Sequence, residues 1–102
     1  MPPYELTPAA QNDLREIARY TLKQWGETQS LHYAGLLEQC FVEISARSKV
    51  SRAVSERYPT LRVCQCEHHY VFYLYPIDKP PLIIAVLHEK MDILKRLKGR
   101  LP

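Results

Sequence analysis

Residues Leu82–Asp92 read LIIAVLHEKMD. The first six are apolar without a helical period, and Ile83, Ile84 and Val86 are β-branched. That is the pattern of a strand, Leu82–His88, covered on both faces and therefore expected near the middle of its sheet. The composition then changes sharply. Met91–Leu97 can form one short helix with Ile93, Leu94 and Leu97 as its apolar contacts, ended by Gly99 and Pro102.

Working back from this block, Pro76–Pro81 is a proline-rich turn that admits neither helix nor strand. His69–Tyr75 is rich in aromatic and β-branched residues and predicts a strand, and Leu61–Cys66 predicts another. Glu67-His68 joins the two as a tight turn without the usual glycine. Lys49–Pro59 has no period and reads as a loop, with at most a helical turn. Near the start, Tyr4–Leu6 is a short strand candidate.

Thr7–Gly26, TPAAQNDLREIARYTLKQWG, predicts a helix. Thr7 supplies an N-cap hydroxyl and Pro8 suits the first helical position. Leu14, Ile17, Ala18, Thr21, Leu22 and Trp25 fall on one stripe, and Gly26 is a natural stop. A second helix follows from Glu27 or Thr28 to about Arg47, with Tyr33, Ala34, Leu37, Cys40, Phe41 and Ile44 as its stripe. The short connection makes the two an antiparallel hairpin. Gly35 either permits close approach of the helices or is a tolerated cost of about 1 kcal/mol. The fold class is therefore α+β: an N-terminal helical hairpin packed on a small antiparallel β-sheet with a short C-terminal helix. The 102 residues fit a single domain over 1–102.

Composition is that of an ordinary globular chain, 46% hydrophobic and 25% charged. No apolar run is long enough to span a membrane, and the N-terminus MPPYELTP lacks the marks of a signal peptide, so a cytoplasmic protein is expected. Net charge is +3, unevenly spread. Arg47, Lys49, Arg52, Arg57 and Arg62 cluster in one stretch, and Lys90, Lys95, Arg96, Lys98 and Arg100 in another. Such clusters suit an acidic partner, or are simply a solvated loop and helix face.

Cys64, Cys66, His68 and His69 have metal-ligand chemistry. However, the two cysteines lie two apart on one strand, and structural zinc sites draw on two separated knuckles. No metal and no cofactor are expected. His69, Tyr70, Tyr73 and Tyr75 could stack bases on an exposed sheet, or simply pack. His88-Glu89 could be an acid/base pair at a strand end, but a lone dipeptide more often caps or packs. There is no nucleophile elbow and no phosphate loop, so no catalytic residue is assigned.

Taken together, YELTPAAQNDLREIARYTLKQWG, Tyr33-x-x-x-Leu37-x-x-x-Phe41, Pro59-x-Leu61-Arg62, His69-Tyr70-Val71-Phe72-Tyr73 and IIAVLHEKMD resemble the ParE toxins of the RelE/ParE superfamily. The resemblance runs in order over essentially the whole chain. It implies the hairpin-on-sheet fold already read from the residues. It also implies the toxin of a type II toxin–antitoxin system, of the plasmid stabilization kind, that binds and inhibits DNA gyrase without chemistry of its own. A cognate short antitoxin, ParD-like or other, would neutralise it, with higher-order toxin–antitoxin assembly.

Two other functions stay open. One is a RelE-like ribosome-dependent mRNA endoribonuclease. The chain departs from that pattern, having no Tyr after Tyr75 and no His after His88. The other is a diverged member of low toxicity that mainly binds antitoxin and regulates its operon. The expected target-facing residues are Arg62, Lys90, Lys95, Arg96, Lys98 and Arg100. The antitoxin-facing candidates are Leu14, Leu22, Leu37, Phe41 and Tyr73. Lys49–Ser55 lacks the Pro and Gly-Arg that many family members carry there, which leaves the conformation of that loop open.

Overall fold

A computed structural model describes residues 3–101. Met1, Pro2 and Pro102 lie outside the described residues, so the expected stop at Pro102 does too. In chain order the elements are β1 (Glu5–Leu6), α1 (Pro8–Trp25), α2 (Glu27–Ser45), β2 (Arg52–Ser55), β3 (Tyr58–Cys66), β4 (His69–Leu74), β5 (Leu82–His88) and α3 (Ile93–Lys98). The five strands form one mixed sheet in the order β1-β5-β4-β3-β2, with β1 parallel to β5 and the other pairs antiparallel. The α+β architecture is the expected one. The sheet differs from a purely antiparallel one only through β1.

The helix ends follow local chemistry. Thr7 Oγ1 accepts the Ala10 N–H at 3.1 Å, satisfying a donor that the first turn of α1 cannot. Gly26 has φ +88°, a region L side chains rarely adopt, and it both ends α1 and opens α2. Gly35 has nothing within 4 Å of where a Cβ would stand, so it is the tolerated cost and not a close approach. Glu67 takes the left-handed conformation, φ 53°, that a glycine would otherwise supply in the β3–β4 turn. The backbone of that turn is held from outside, because the Tyr33 hydroxyl accepts the His68 N–H at 3.2 Å.

Three expectations need correction. The loop Lys49–Pro59 contains β2, a four-residue edge strand with a bulge between Ala53 and Ser55, and β3 starts at Tyr58. A short, mostly polar edge strand leaves no period to read, and Pro59 is tolerated beside that edge. The middle position of the sheet belongs to β4, not to β5. In α3 only Leu97 is deeply buried, Ile93 is half-buried, and Leu94 is 80% exposed.

Both faces of the sheet are apolar, and they are covered differently. The hairpin lies on one face, where Leu37, Cys40, Phe41 and Ile44 of α2 meet Cys64, Cys66, Val71, Tyr73, Ile83 and Val86. On the other face Leu61, Val63, Phe72, Ile84 and Leu87 are covered by Leu97 of α3, with Ile93 and Leu101 beside it.

Candidate interaction surfaces

Small side chains on the hairpin leave a groove. Thr21 Oγ1 meets Ser30 Oγ at 2.8 Å, and both hydroxyls also bond to carbonyls of α1, which pins the helices together by polar contacts. Ala18 and Ala34 are too short to fill the space beside this bridge. The result is a cleft of about 260 Å³ with Leu14 and Ile17 on one wall, Leu37 and Phe41 at its floor and Tyr4 and Leu6 at its end. The antitoxin-facing candidates therefore separate. Leu14, Leu37 and Phe41 line the cleft. Leu22 is 53% exposed outside it, and Tyr73 is buried in the core beneath.

The stripe on α1 is correspondingly less buried than its period suggests, because it faces the cleft and α2 more than the sheet. Trp25 is 60% exposed and stacks edge-on against Tyr20 at 5.8 Å. Leu31, near the start of α2, is also exposed, so both helices carry exposed apolar side chains that the sequence stripe does not reveal. A stripe counted as core gives no sign of which members stay outside.

The cationic candidates separate as well. Lys90, Lys95, Arg96 and Lys98 are all exposed, the last three on α3. Arg62 is the cross-strand partner of Tyr73, so it faces the hairpin side, opposite α3. Its guanidinium donates to Ser51 Oγ at 3.0 Å and to the Ser51 carbonyl at 2.9 Å. Arg100 is spent internally. Its two terminal nitrogens clamp the Asp13 carboxylate, Nη2 to Oδ1 at 2.8 Å, and Nη1 also donates to the Ile84 carbonyl at 3.1 Å. Asp13 Oδ2 accepts the Val86 N–H at 2.9 Å. Beyond the two-residue β1, these two side chains thus occupy the hydrogen-bonding edge of β5.

The titratable residues at the end of β4 and β5 form a closed network. His69 Nδ1 lies 2.6 Å from the Tyr33 hydroxyl, and the His69 and His88 rings meet edge-on at 5.1 Å. Burial, and then the neighbouring His88 and His68, push the His69 imidazole down to about 4. It is neutral at physiological pH and shares a short hydrogen bond with the phenol. His68 Nδ1 pairs with Glu89 at 3.2 Å, and His88 Nδ1 accepts the Lys90 N–H at 3.1 Å. Tyr33 thereby ties α2 to β4 and the β3–β4 turn, while the His68–Glu89 and His88–Lys90 contacts link the turns at this end of the sheet.

Strand alternation also divides the aromatic run. Tyr70 lies on the α3 face, while His69, Tyr73 and Tyr75 lie on the hairpin face, where Tyr73 is 2% exposed. There is no continuous stacking platform. Among the described residues no group of three or more His, Cys, Asp or Glu is placed to hold a metal ion.

Comparison with known proteins adds the following. Residues 4–93 match the family model described as ParE toxin of type II toxin-antitoxin system, parDE. A protein named Toxin ParE from Escherichia coli is 45% identical over 101 residues, spanning 99% of this chain and 98% of its own length. Toxin ParE1 from Mycobacterium tuberculosis is 32% identical, spanning 92% and 96%. Among solved structures, a chain of the chromosomal ParDE TA system from P. aeruginosa superposes with a TM-score of 0.69 at 17% identity, over 83% of this chain and 92% of that one. That likeness concerns the fold.

Proposed function

The chain belongs to the ParE toxin family of type II toxin–antitoxin systems, and on that premise we propose that it inhibits DNA gyrase by binding and is neutralised by a short ParD-like antitoxin. The observation that carries the reading is the open apolar cleft between α1 and α2, set on the opposite side of the sheet from the exposed cations of α3. An antitoxin segment that orders along the cleft would bury Leu14 and Ile17 and gain enough apolar contact to offset its ordering entropy. Lys90, Lys95, Arg96 and Lys98 form the target-facing surface, where positive charge steers encounter with an acidic, DNA-bound enzyme. Arg100 and Arg62 lie outside it, since their guanidinium groups are held within the fold.

The action is by binding, in the cytoplasm. The groups that could do acid/base work, Tyr33, His69 and His88, are engaged in hydrogen bonds that support the fold. The test separates the two faces. Lys95→Ala/Arg96→Ala/Lys98→Ala should abolish growth arrest and gyrase cleavage-complex formation while still co-purifying with antitoxin. Ala34→Arg, which fills the cleft, should lose the antitoxin and stay toxic. Full toxicity of the triple variant at equal expression would remove the target assignment. Specific A-site cuts on purified programmed ribosomes would replace it with the ribonuclease reading.

A further inference from the structure

Three cysteines, all free and all buried, converge between α2 and β3. Cys40 of α2 sits over the strand with its Sγ 3.7 Å from that of Cys64. Cys66 lies in the same buried cluster. Cys66 in turn donates to the Leu36 carbonyl at 3.4 Å. Cys40 and Cys64 are 24 residues apart and on different elements, so the fold alone brings them together.

We propose that Cys40 and Cys64 form an oxidation site, in which hydrogen peroxide converts the pair to a disulfide that bolts α2 to β3. The two sulfur atoms are already in van der Waals contact, and a rotation about the two Cα–Cβ bonds is the movement that closes them to bonding distance. Cys64 and Cys66, two apart on one strand, do not have that geometry.

The roles within the pair follow from their contacts. The contact with Cys40 favours a Cys64 thiolate and lowers its pKa against the opposing effect of burial. The same contact pushes Cys40 up to about 12. Cys66 is raised as well, by the neighbouring Cys40 thiol and by burial. Cys64 is therefore the thiol that reacts first. Its thiolate attacks one peroxide oxygen: an S–O bond forms, the O–O bond breaks, and hydroxide leaves and is protonated to water. Cys40 sulfur then attacks the sulfenic sulfur. The S–S bond forms, the S–O bond breaks, and the departing hydroxide takes up the Cys40 proton as a second water. Two thiols are oxidised by two electrons and one peroxide is reduced to two waters. Access comes from local opening of α2, so the reaction is slow in the folded protein and accelerates in mild urea.

The test treats the full-length protein with hydrogen peroxide, denatures it, alkylates free thiols and maps the peptides. The expected product has Cys66 alkylated and Cys40 linked to Cys64, is reversed by dithiothreitol, and has a Tm higher by on the order of 5–10 °C. Cys66→Ser should give the same link. Cys64→Ser should lose both the link and the rise in Tm. Three alkylatable cysteines after peroxide, Cys64 sulfinic acid without a cross-link, or dimers linked between chains would each overturn the proposal. Mapping of the unsubstituted protein decides it even if a variant fails to fold.

Discussion

The two faces of the sheet contrast in what holds them. On the hairpin face two helices of 18 and 19 residues lie over a core with a polar frame: the Thr21–Ser30 bridge, the Tyr33–His69 bond and the cysteines. On the other face the six-residue α3 is seated through Leu97 and carries Lys95, Arg96 and Lys98 outward. The first is a built scaffold, and the second is a charged cover resting on it. The difference teaches that stability and display can be assigned to opposite sides of one small sheet. Changes to the buried core beneath the hairpin should then register as folding energy. Changes to the α3 cations should register as function.

The strongest way to break that contrast is to cut equivalent anchors. Ile44→Ala, at a residue 1% exposed between α2 and the sheet, should cost about 4 kcal/mol by urea unfolding, because two long helices cannot collapse into the cavity. Leu97→Ala should cost about 2 kcal/mol, since a short helix can settle or fray instead. Equal losses would mean that α3 is as much a part of the core as α2.

Asp13→Ala comes next, at about 3 kcal/mol. It leaves both the Arg100 guanidinium and the Val86 N–H without the carboxylate that pairs them. Arg100→Ala in the same background should add little, and amide exchange should quicken in α3. Additive losses would show that the clamp does not act as a unit across the two faces.

The last test is of pH dependence. Folding holds His69 at about 4, below the ordinary value near 6.5. The unfolded chain therefore takes up a proton between those values that the folded chain refuses. Stability is complete above about pH 6.5 and falls as pH drops, levelling near pH 4, for a loss of about 3 kcal/mol. His69→Gln should flatten that slope in chemical-denaturation curves collected across the window. An unchanged slope would place the linkage elsewhere.

Much of this was readable from local chemistry. Thr7, Pro8 and Gly26 fix the ends of α1, and Leu82–His88 declares its strand, because caps, left-handed glycines and apolar runs are properties of short segments. β2 was hidden because Arg52–Ser55 is a polar edge whose pairing depends on β3. The fates of Arg62 and Arg100 were hidden for a different reason. Sequence counts positive charges, but only tertiary contact tells which are held by Ser51 or Asp13 and which face water. Likewise Leu22 and Leu37 belong to one kind of stripe in the sequence, yet one is exposed and the other floors a cleft. No spacing rule links Cys40 to Cys64 across a helix, a loop and an edge strand.

The edge of β5 has one more consequence. A sheet usually ends in a strand, a helix or a bulge that turns newcomers away. Here, past Leu6, the last ladder positions are closed by a carboxylate and a guanidinium reaching in from distant parts of the chain. Such a stopper is hinged rather than woven: two rotamer changes uncover the Val86 donor and leave the Ile84 carbonyl with only the long contact from the Thr7 hydroxyl, with no ladder to unzip. The clamp is thus a safeguard against strand addition at that margin, and its loss should promote self-association as concentration rises.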